Sequence, residues 1–378
     1  MVQKEKKIKA FASNAMDFPL IITVLLLLAF GIIMVLSASA PTSLAESGNS
    51  YAYAIKQGIS AIIGIVAMIF LSKFDYRIYK KWLWVIYVFC VILLLAVSFI
   101  GIGANGAKRW MLIAGFNFQP SEFTKIGFII FYASLLTKLK EENKIGTFKW
   151  GFCYPILLAL PPIAILLILQ NHFSVTLLLV CVTAVQMIMA GTKIKHCLMA
   201  GLPAGLGGIA LILKKGGEFR SDRIATWLNP WNDLTGDGWQ IVQSLYAIGS
   251  GGIFGVGLGE SKQKYLYIPE PHNDFIFAVL AEELGFIGCL AVILLFIILI
   301  WRGIIIAMKA PDMFGSLIAI GITSLIGFQV IINIAVVTNS MPVTGMPLPF
   351  FSYGGSALLS ILASIGILLN ISRAGNKV

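Results

Sequence analysis

A chain of 378 residues that is 58% hydrophobic, only 12% charged and carries a net charge of +11 is not a soluble enzyme, because soluble domains hold about a quarter of their residues as Asp, Glu, Lys and Arg. Apolar runs of about 20 residues, the length a bilayer core demands, recur along the whole chain. The basic balance fits Lys and Arg gathered in loops on one side of a membrane, and no nucleic-acid partner is called for.

The fold class expected is an all-α polytopic membrane protein. Residues 1–18 form a basic tail with Lys4, Lys6, Lys7 and Lys9. The next apolar stretch ends in "SASA" and resembles a secretory signal with a small-residue cleavage site. It runs from Pro19 to Leu36, longer than a signal core, and reads as a retained first span. Ten membrane helices are predicted, over 19–39, 52–71, 82–102, 121–137, 152–169, 174–191, 196–213, 273–301, 314–338 and 352–371. With a cytoplasmic N-terminus, inner loops carry Arg77 and Lys80, Lys138 and Lys149, Lys193 and Lys195, then Arg302 and Lys309. The outer loop 40–51 has no Lys or Arg, and 339–351 has no charge. This alternation follows the positive-inside rule and places both termini in the cytoplasm. The chain reads as one domain, 1–378, with a large extracellular loop over 214–272.

Two outer segments carry basic residues against that rule. "GANGAKRWMLIAGFNFQPSEFTK" holds Lys108 and Arg109, followed by Trp110. Within it Glu122 and Lys125 stand at i, i+3 on the fourth span, where they can pair. The alternative is that Lys125 reaches a phosphate while Glu122 positions it. The long loop mixes Trp227, Trp231 and Trp239 with turn signals, and apolar residues from Trp239 to Ser250 recur at helical spacing. That suggests an amphipathic helix lying along the membrane surface. In the "GSGGIFGVGLG" that follows, the glycines either cradle a phosphate or make a flexible turn.

"YIPEPHNDFIFAVLAEELGFIG" begins as a loop and becomes the eighth span, with Asp274 on the seam. A carboxylate there is either a helix cap at the positive dipole end or a reactive group at the lipid boundary. Ala278, Ala281 and Gly285 share its stripe, which means either close helix packing or a groove for a lipid tail. Gln329 and Asn333, at i, i+4 in the ninth span, read as helix–helix hydrogen-bonding groups. "VTGMPLPFFSYGGS" reads as a rigid re-entry walling a cavity. Lys108, Arg109, Trp110, Glu122, Lys125, Arg220, Arg223, Lys262, Glu270, His272 and Asp274 thus fall outside or in the outer ends of spans. Ionisable groups in spans usually mark function. The five cysteines show no C-x-x-C spacing and read as apolar packers, without a disulfide framework. The three histidines show no metal-binding spacing.

Together "GAKRW", "QPSEFTK", the block from "LNPWNDLTGDGW" to "AEELGFIG", and "PVTGMPLPFFSYGGSALL" resemble the SEDS family (shape, elongation, division and sporulation), the FtsW/RodA/SpoVE group. They occur in the family's order and cover nearly the whole chain from the second span onward. "NIAVVTNSMPVTGMPLPFFSYGGS" leans toward the FtsW/SpoVE branch. The resemblance implies a ten-span protein of the bacterial cytoplasmic membrane that polymerises lipid II into glycan strands at its outer face, for division, shape or sporulation. It implies a class B penicillin-binding protein as partner, with membrane lipids and a polyprenyl-linked glycan as further contacts. The family's essential aspartate carries over to Asp274, expected as general base. The tryptophan of "KRW" carries over to Trp110 and the glutamate of "QPSE" to Glu122. Substrate contacts are expected from these two and from Lys108, Arg109, Lys125, Arg223, Gln243, Lys262, His272, Ser352 and Tyr353. His172 and Glu270 are further candidates without a fixed role. Asn273 stands where the family usually has Thr. In "QNHFSVT", His172 stands where the family commonly has an acid. No tightly bound cofactor is expected, and a divalent cation, Mg or Mn, is left open. Two rival readings are a lipid II flippase and a non-catalytic scaffold for a penicillin-binding protein.

Overall fold

The computed structural model describes residues 16–103, 108–113, 116–197, 199, 225–232, 236–265 and 267–375. The predicted seventh span, 196–213, falls almost wholly outside them. The other nine predicted spans are helices. They are α1 Phe18–Ser47, α2 Ala52–Lys73, α3 Leu83–Ile100, α4 Pro120–Glu141, α5 Phe148–Leu169, α6 Phe173–Ala190, and, after α7 Asp237–Gly251, α8 Ile276–Met308, α9 Met313–Val337 and α10 Gly355–Gly375. All but α4 and α7 are long and apolar enough to cross a membrane. α4 buries its Glu122 and Lys125 inside the bundle instead of facing lipid with them.

Local chemistry sets the ends. Asp17 caps α1, its Oδ1 accepting from Leu20 N at 3.0 Å with Pro19 in the first turn, the arrangement favoured at helix starts. α1 then runs on into the predicted outer loop 40–51, carrying Pro41 inside the helix. It stops at Gly48, whose φ of 69° is a left-handed cap. α8 likewise extends past the predicted end at 301 to Met308. Asp312 starts α9 by accepting from Gly315 N at 2.8 Å. α5 contains Pro161 and Pro162 and has wide π-type turns over Phe148–Cys153 and Ile165–Leu169. Proline removes a ladder donor and clashes with the preceding turn, which explains the irregularity.

α10 and α9 form the centre, buried along most of their length, while α2, α3 and α5 expose broad apolar faces. α10 packs on α2 at very close range: a Cβ on Gly366 would stand 2.5 Å from the Met68 carbonyl oxygen. Small residues allow this approach where lipid offers no hydrophobic drive between helices. One addition to the all-α expectation is an antiparallel hairpin, β1 Met111–Ile113 with β2 Phe116–Phe118, pairing Leu112 with Asn117. It precedes α4 and is tied to α10, because Ser356 Oγ donates to Asn117 O and accepts from Gln119 N.

α7 is the amphipathic helix expected from the long loop, and part of its apolar face packs on protein. Ile241, Val242 and Ala247 are buried, Ser244 Oγ donates to Val337 O of α9 at 2.8 Å, and Gly251 abuts the Ala281 carbonyl of α8. Protein takes the place of lipid here, because a helix stripe of this kind fits any apolar partner.

Candidate active site

Asp274 lies in the turn that leads into α8, and it is not the cap. The residue before α8 is Phe275, and no side chain caps that helix. No described residue donates a hydrogen bond to the Asp274 carboxylate. The surroundings hold its backbone instead. Asn333 Nδ2 donates to Asp274 O at 2.7 Å and to Met346 O at 2.7 Å, so both N–H bonds of one buried amide are spent on two loops. This corrects the expectation of a helix–helix bond at Asn333: an amide midway between two loops clamps carbonyls that have no helical partner. Gln329, by contrast, keeps a buried Oε1 without a partner among the described residues.

The 343–354 stretch forms the wall opposite. A Cβ on Gly345, whose φ is 63°, would stand 3.2 Å from Asp274 Oδ2. Only glycine lets the chain pass there without strain and without covering the carboxylate. Ser352 Oγ donates to Asn273 O at 2.8 Å and accepts from Leu348 N at 2.7 Å. Tyr353 N donates to His272 O at 2.8 Å. Gln57 of α2 closes the wall, with its amide spanning Ser352 O and Gly354 N. Thus Ser352, expected to touch substrate, has its hydroxyl committed to loop backbone. The rings of Tyr53, His272 and Tyr353 cluster, with centroids 4.7 Å from Tyr53 to each of the others.

Loss of solvent around Asp274, with the Glu270 charge as a smaller cause, pushes its carboxyl up to about 6. Glu270 is exposed and accepts from Asn273 Nδ2 at 2.7 Å. Burial lowers the His272 imidazole below its usual value, so it is neutral at pH 7.

A cationic cluster stands across the same loop. Glu122 and Lys125 form an ion pair at 2.8 Å, 3% and 1% exposed, and Glu122 Oε2 has no hydrogen-bond partner among the described residues. His172 Nε2 is 3.4 Å from Gln119 Nε2. Arg109 donates to Gln170 O at 2.9 Å and to Asn171 O at 2.7 Å, anchoring the turn before His172. Burial first, then the charges of Arg109 and Lys125, lower His172 to about 3. It is a neutral group beside two cations and supplies no negative charge. Ser174 Oγ, two residues on, donates to Thr344 O, next to the Gly345 that abuts Asp274. The two clusters therefore share one loop.

Other expected residues lie apart. Lys108 donates to Phe99 O at 2.7 Å and is exposed. Trp110 is 37% exposed and pairs through its backbone with Ile102. Gln243 is buried on α7. Arg220 and Arg223 lie outside the described residues. Lys262 is exposed, and its backbone N–H donates to Glu282 Oε1 at 3.0 Å.

That last bond belongs to a knot that sequence reasoning missed. Glu282 also accepts from Ser261 Oγ at 2.5 Å and Gln263 N at 3.3 Å. Glu283 pairs with buried Lys264 at 2.9 Å and accepts from Ser37 Oγ of α1 at 2.6 Å. The glycine-rich loop is stitched to the same place: Val256 N and Gly257 N donate to the Glu282 and Glu283 carbonyls at 3.0 Å each. Phe286 N returns to Gly252 O at 2.9 Å. α8 breaks here, at Gly285 with φ 65°, and loop amides replace its ladder. Those amides face α8 carbonyls, so the phosphate-cradle alternative is not realised. The Ala278–Ala281–Gly285 stripe is buried, with Gly251 against Ala281 and Gly255 against Gly285. The signal available in sequence was two adjacent acids in an apolar run.

Among the described residues no group of three or more His, Cys, Asp or Glu side chains is placed to hold a metal ion.

A family model described as "Cell cycle protein", for FtsW, RodA and SpoVE, matches residues 18–377. The chain is 45% identical over 359 residues to the stage V sporulation protein E of Bacillus subtilis, covering 94% of this chain and 97% of that one. It is 40% identical to a probable peptidoglycan glycosyltransferase FtsW of Geobacter sp. strain M18, covering 94% and 96%. Its fold is similar to a chain of a peptidoglycan synthase complex that coordinates polymerization and crosslinking, with a TM-score of 0.79, 27% identity, and coverage of 96% and 98%. With its apolar helices and this match over nearly its whole length, the chain is a multi-pass bacterial membrane protein that belongs to the FtsW/RodA/SpoVE family.

Proposed function

We propose that the chain is a peptidoglycan glycosyltransferase that polymerises lipid II at the outer face of the cytoplasmic membrane, with Asp274 as general base. The observation that carries this is a carboxylate with no hydrogen-bond donor on it among the described residues, titrating near 6, on a loop clamped by Asn333, Ser352 and Tyr353. A general base works best when its pKa lies near the operating pH and it is within hydrogen-bond reach of the proton it takes.

In the reaction, Asp274 accepts the proton of the sugar 4-hydroxyl of lipid II. The hydroxyl oxygen forms a bond to the anomeric carbon of the donor glycan, and the bond from that carbon to the polyprenyl diphosphate breaks. The electron pair leaves with the diphosphate, and one displacement inverts the configuration. Charge developing on the leaving group is stabilised by fixed cations. Lys125 and Arg109 are the cations of the adjoining cluster, with Lys108, Lys262 and Arg223 as the further expected contacts. Trp110, His272 and Tyr353 offer ring faces and edges to sugar or prenyl groups.

On this reading both termini are cytoplasmic, the Asp274 end of α8 is extracellular, and the partner is a crosslinking class B penicillin-binding protein. The similarity to a chain of a polymerizing and crosslinking complex supports that partner. Reconstitution with purified lipid II tests the activity. Glycan strands from wild type and none from a folded Asp274→Ala protein are expected. Translocation of lipid II without strands would favour the flippase, and neither activity would favour the scaffold.

A further inference from the structure

Described residues line an open cavity far from Asp274, at the opposite end of α8. Its volume is about 230 Å³. α8 has 33 residues, a length of about 50 Å, so the cavity opens at the other membrane face. It lies where α1 begins and where α8 and α10 end.

Its lining is amphiphilic. Arg302 and Lys309 stand two turns apart on one face of α8, with Ile305 and Ile306 between them. Phe18 and Pro19 of α1 complete the apolar side. Arg302 donates through Nε to Asp17 Oδ1 at 3.1 Å and through Nη2 to Oδ2, which uses two of the guanidinium's five N–H donors. Asp17 itself is spent on this pair and on capping α1. Lys309 forms no ion pair among the described residues. Asp17, Arg302 and Lys309 together leave one positive charge over an apolar floor.

We propose that this cavity binds the phosphate headgroup of an anionic membrane lipid. The phosphate would lie between Arg302 and Lys309, and the glyceryl ester would lie on Ile305, Ile306 and Phe18. Exposed Trp301 and Met308 on the same helix end provide apolar surface for the acyl chains. A free phosphate ion would share the cations but gain nothing from that floor.

The test uses the full chain in neutral detergent, with its melting temperature read against added phosphatidylglycerol, phosphatidylcholine or inorganic phosphate. Phosphatidylglycerol should raise the melting temperature by several degrees, and the other two should not. Lys309→Gln, at an exposed side chain, should melt like wild type without anionic lipid and lose at least half of the rise. Lys73→Gln should keep the rise, since Lys73 ends α2 on the same face, where Asn370 of α10 bonds Ser72, but does not line the cavity. An equal rise with phosphatidylcholine, a full rise in Lys309→Gln, or equal losses in both variants would overturn the proposal. A rise with inorganic phosphate alone would overturn it too and reassign the site to a soluble anion.

Discussion

Asn333 holds Asp274 by its main chain and leaves the carboxylate untouched. One amide nitrogen reaches Asp274 O and Met346 O at 2.7 Å each, so it fixes the distance between Asp274 and the Gly345 loop. Asn333→Ala orphans two carbonyls, a loss of about 1–3 kcal/mol. Polymerisation should fall tenfold or more while the pH at half-maximal rate stays unchanged, because the carboxylate keeps its own surroundings. Melting curves and pH–rate profiles of the same preparation check both.

The carboxyl of Asp274 sits near 6, above its ordinary value. Between the unfolded and folded values the native state binds more protons, so this group's contribution to stability falls as pH rises from about 4 to about 6. Asp274→Asn should therefore melt higher than wild type at pH 8 and about equally at pH 4. Activity runs the other way. Wild-type rate should rise through pH 6 and level off above it.

Glu270 raises Asp274 through its charge. Glu270→Gln should move the acid limb of the rate profile to lower pH. The shift should be on the order of a few tenths of a unit, as suits an exposed charge.

Histidine is the rival explanation for any limb near 6, and His172 is the histidine beside the cations. Held at about 3 by burial, Arg109 and Lys125, it does not titrate in that range. His172→Ala should leave the limb in place. His172→Asp puts a carboxylate beside two cations and should be tolerated. His172→Lys adds a third cation and should lower the yield of folded protein in detergent.

The Glu283–Lys264 pair is buried on both sides. Glu283→Ala leaves a buried ammonium uncompensated and should cost about 3–5 kcal/mol, read as a lower melting temperature. Lys264→Met combined with Glu283→Leu should recover much of it, because replacing both partners removes the orphan charge.

Nine of the ten predicted spans recur as helices with shifted ends, because long apolar runs have one stable solution in a bilayer. Asp274 stands out in the sequence because a carboxylate at a lipid boundary is costly and because the family motif falls on it. What failed to show was partnership. Nothing in "AEELG" says that Glu282 gathers Ser261, Lys262 and Gln263, or that Glu283 takes Lys264. Those residues stand far apart in the chain, and only folding brings them together. The glycines before them read equally as a phosphate cradle or a flexible turn, because free amides and amides bonded to a broken helix have the same composition. α7 was legible as a helix but not in its seat. His172 was legible as a departure, while its neutrality depends on neighbours from separate segments.

Asp274→Asn tests the central claim most directly. The variant keeps the shape of the side chain and removes its basicity. Strand formation from purified lipid II should be followed at pH 8, with melting temperature taken on the same sample. A protein that melts at or above wild type and forms no strands is the expected result. A variant that is folded and polymerises at the wild-type rate would contradict Asp274 as the base.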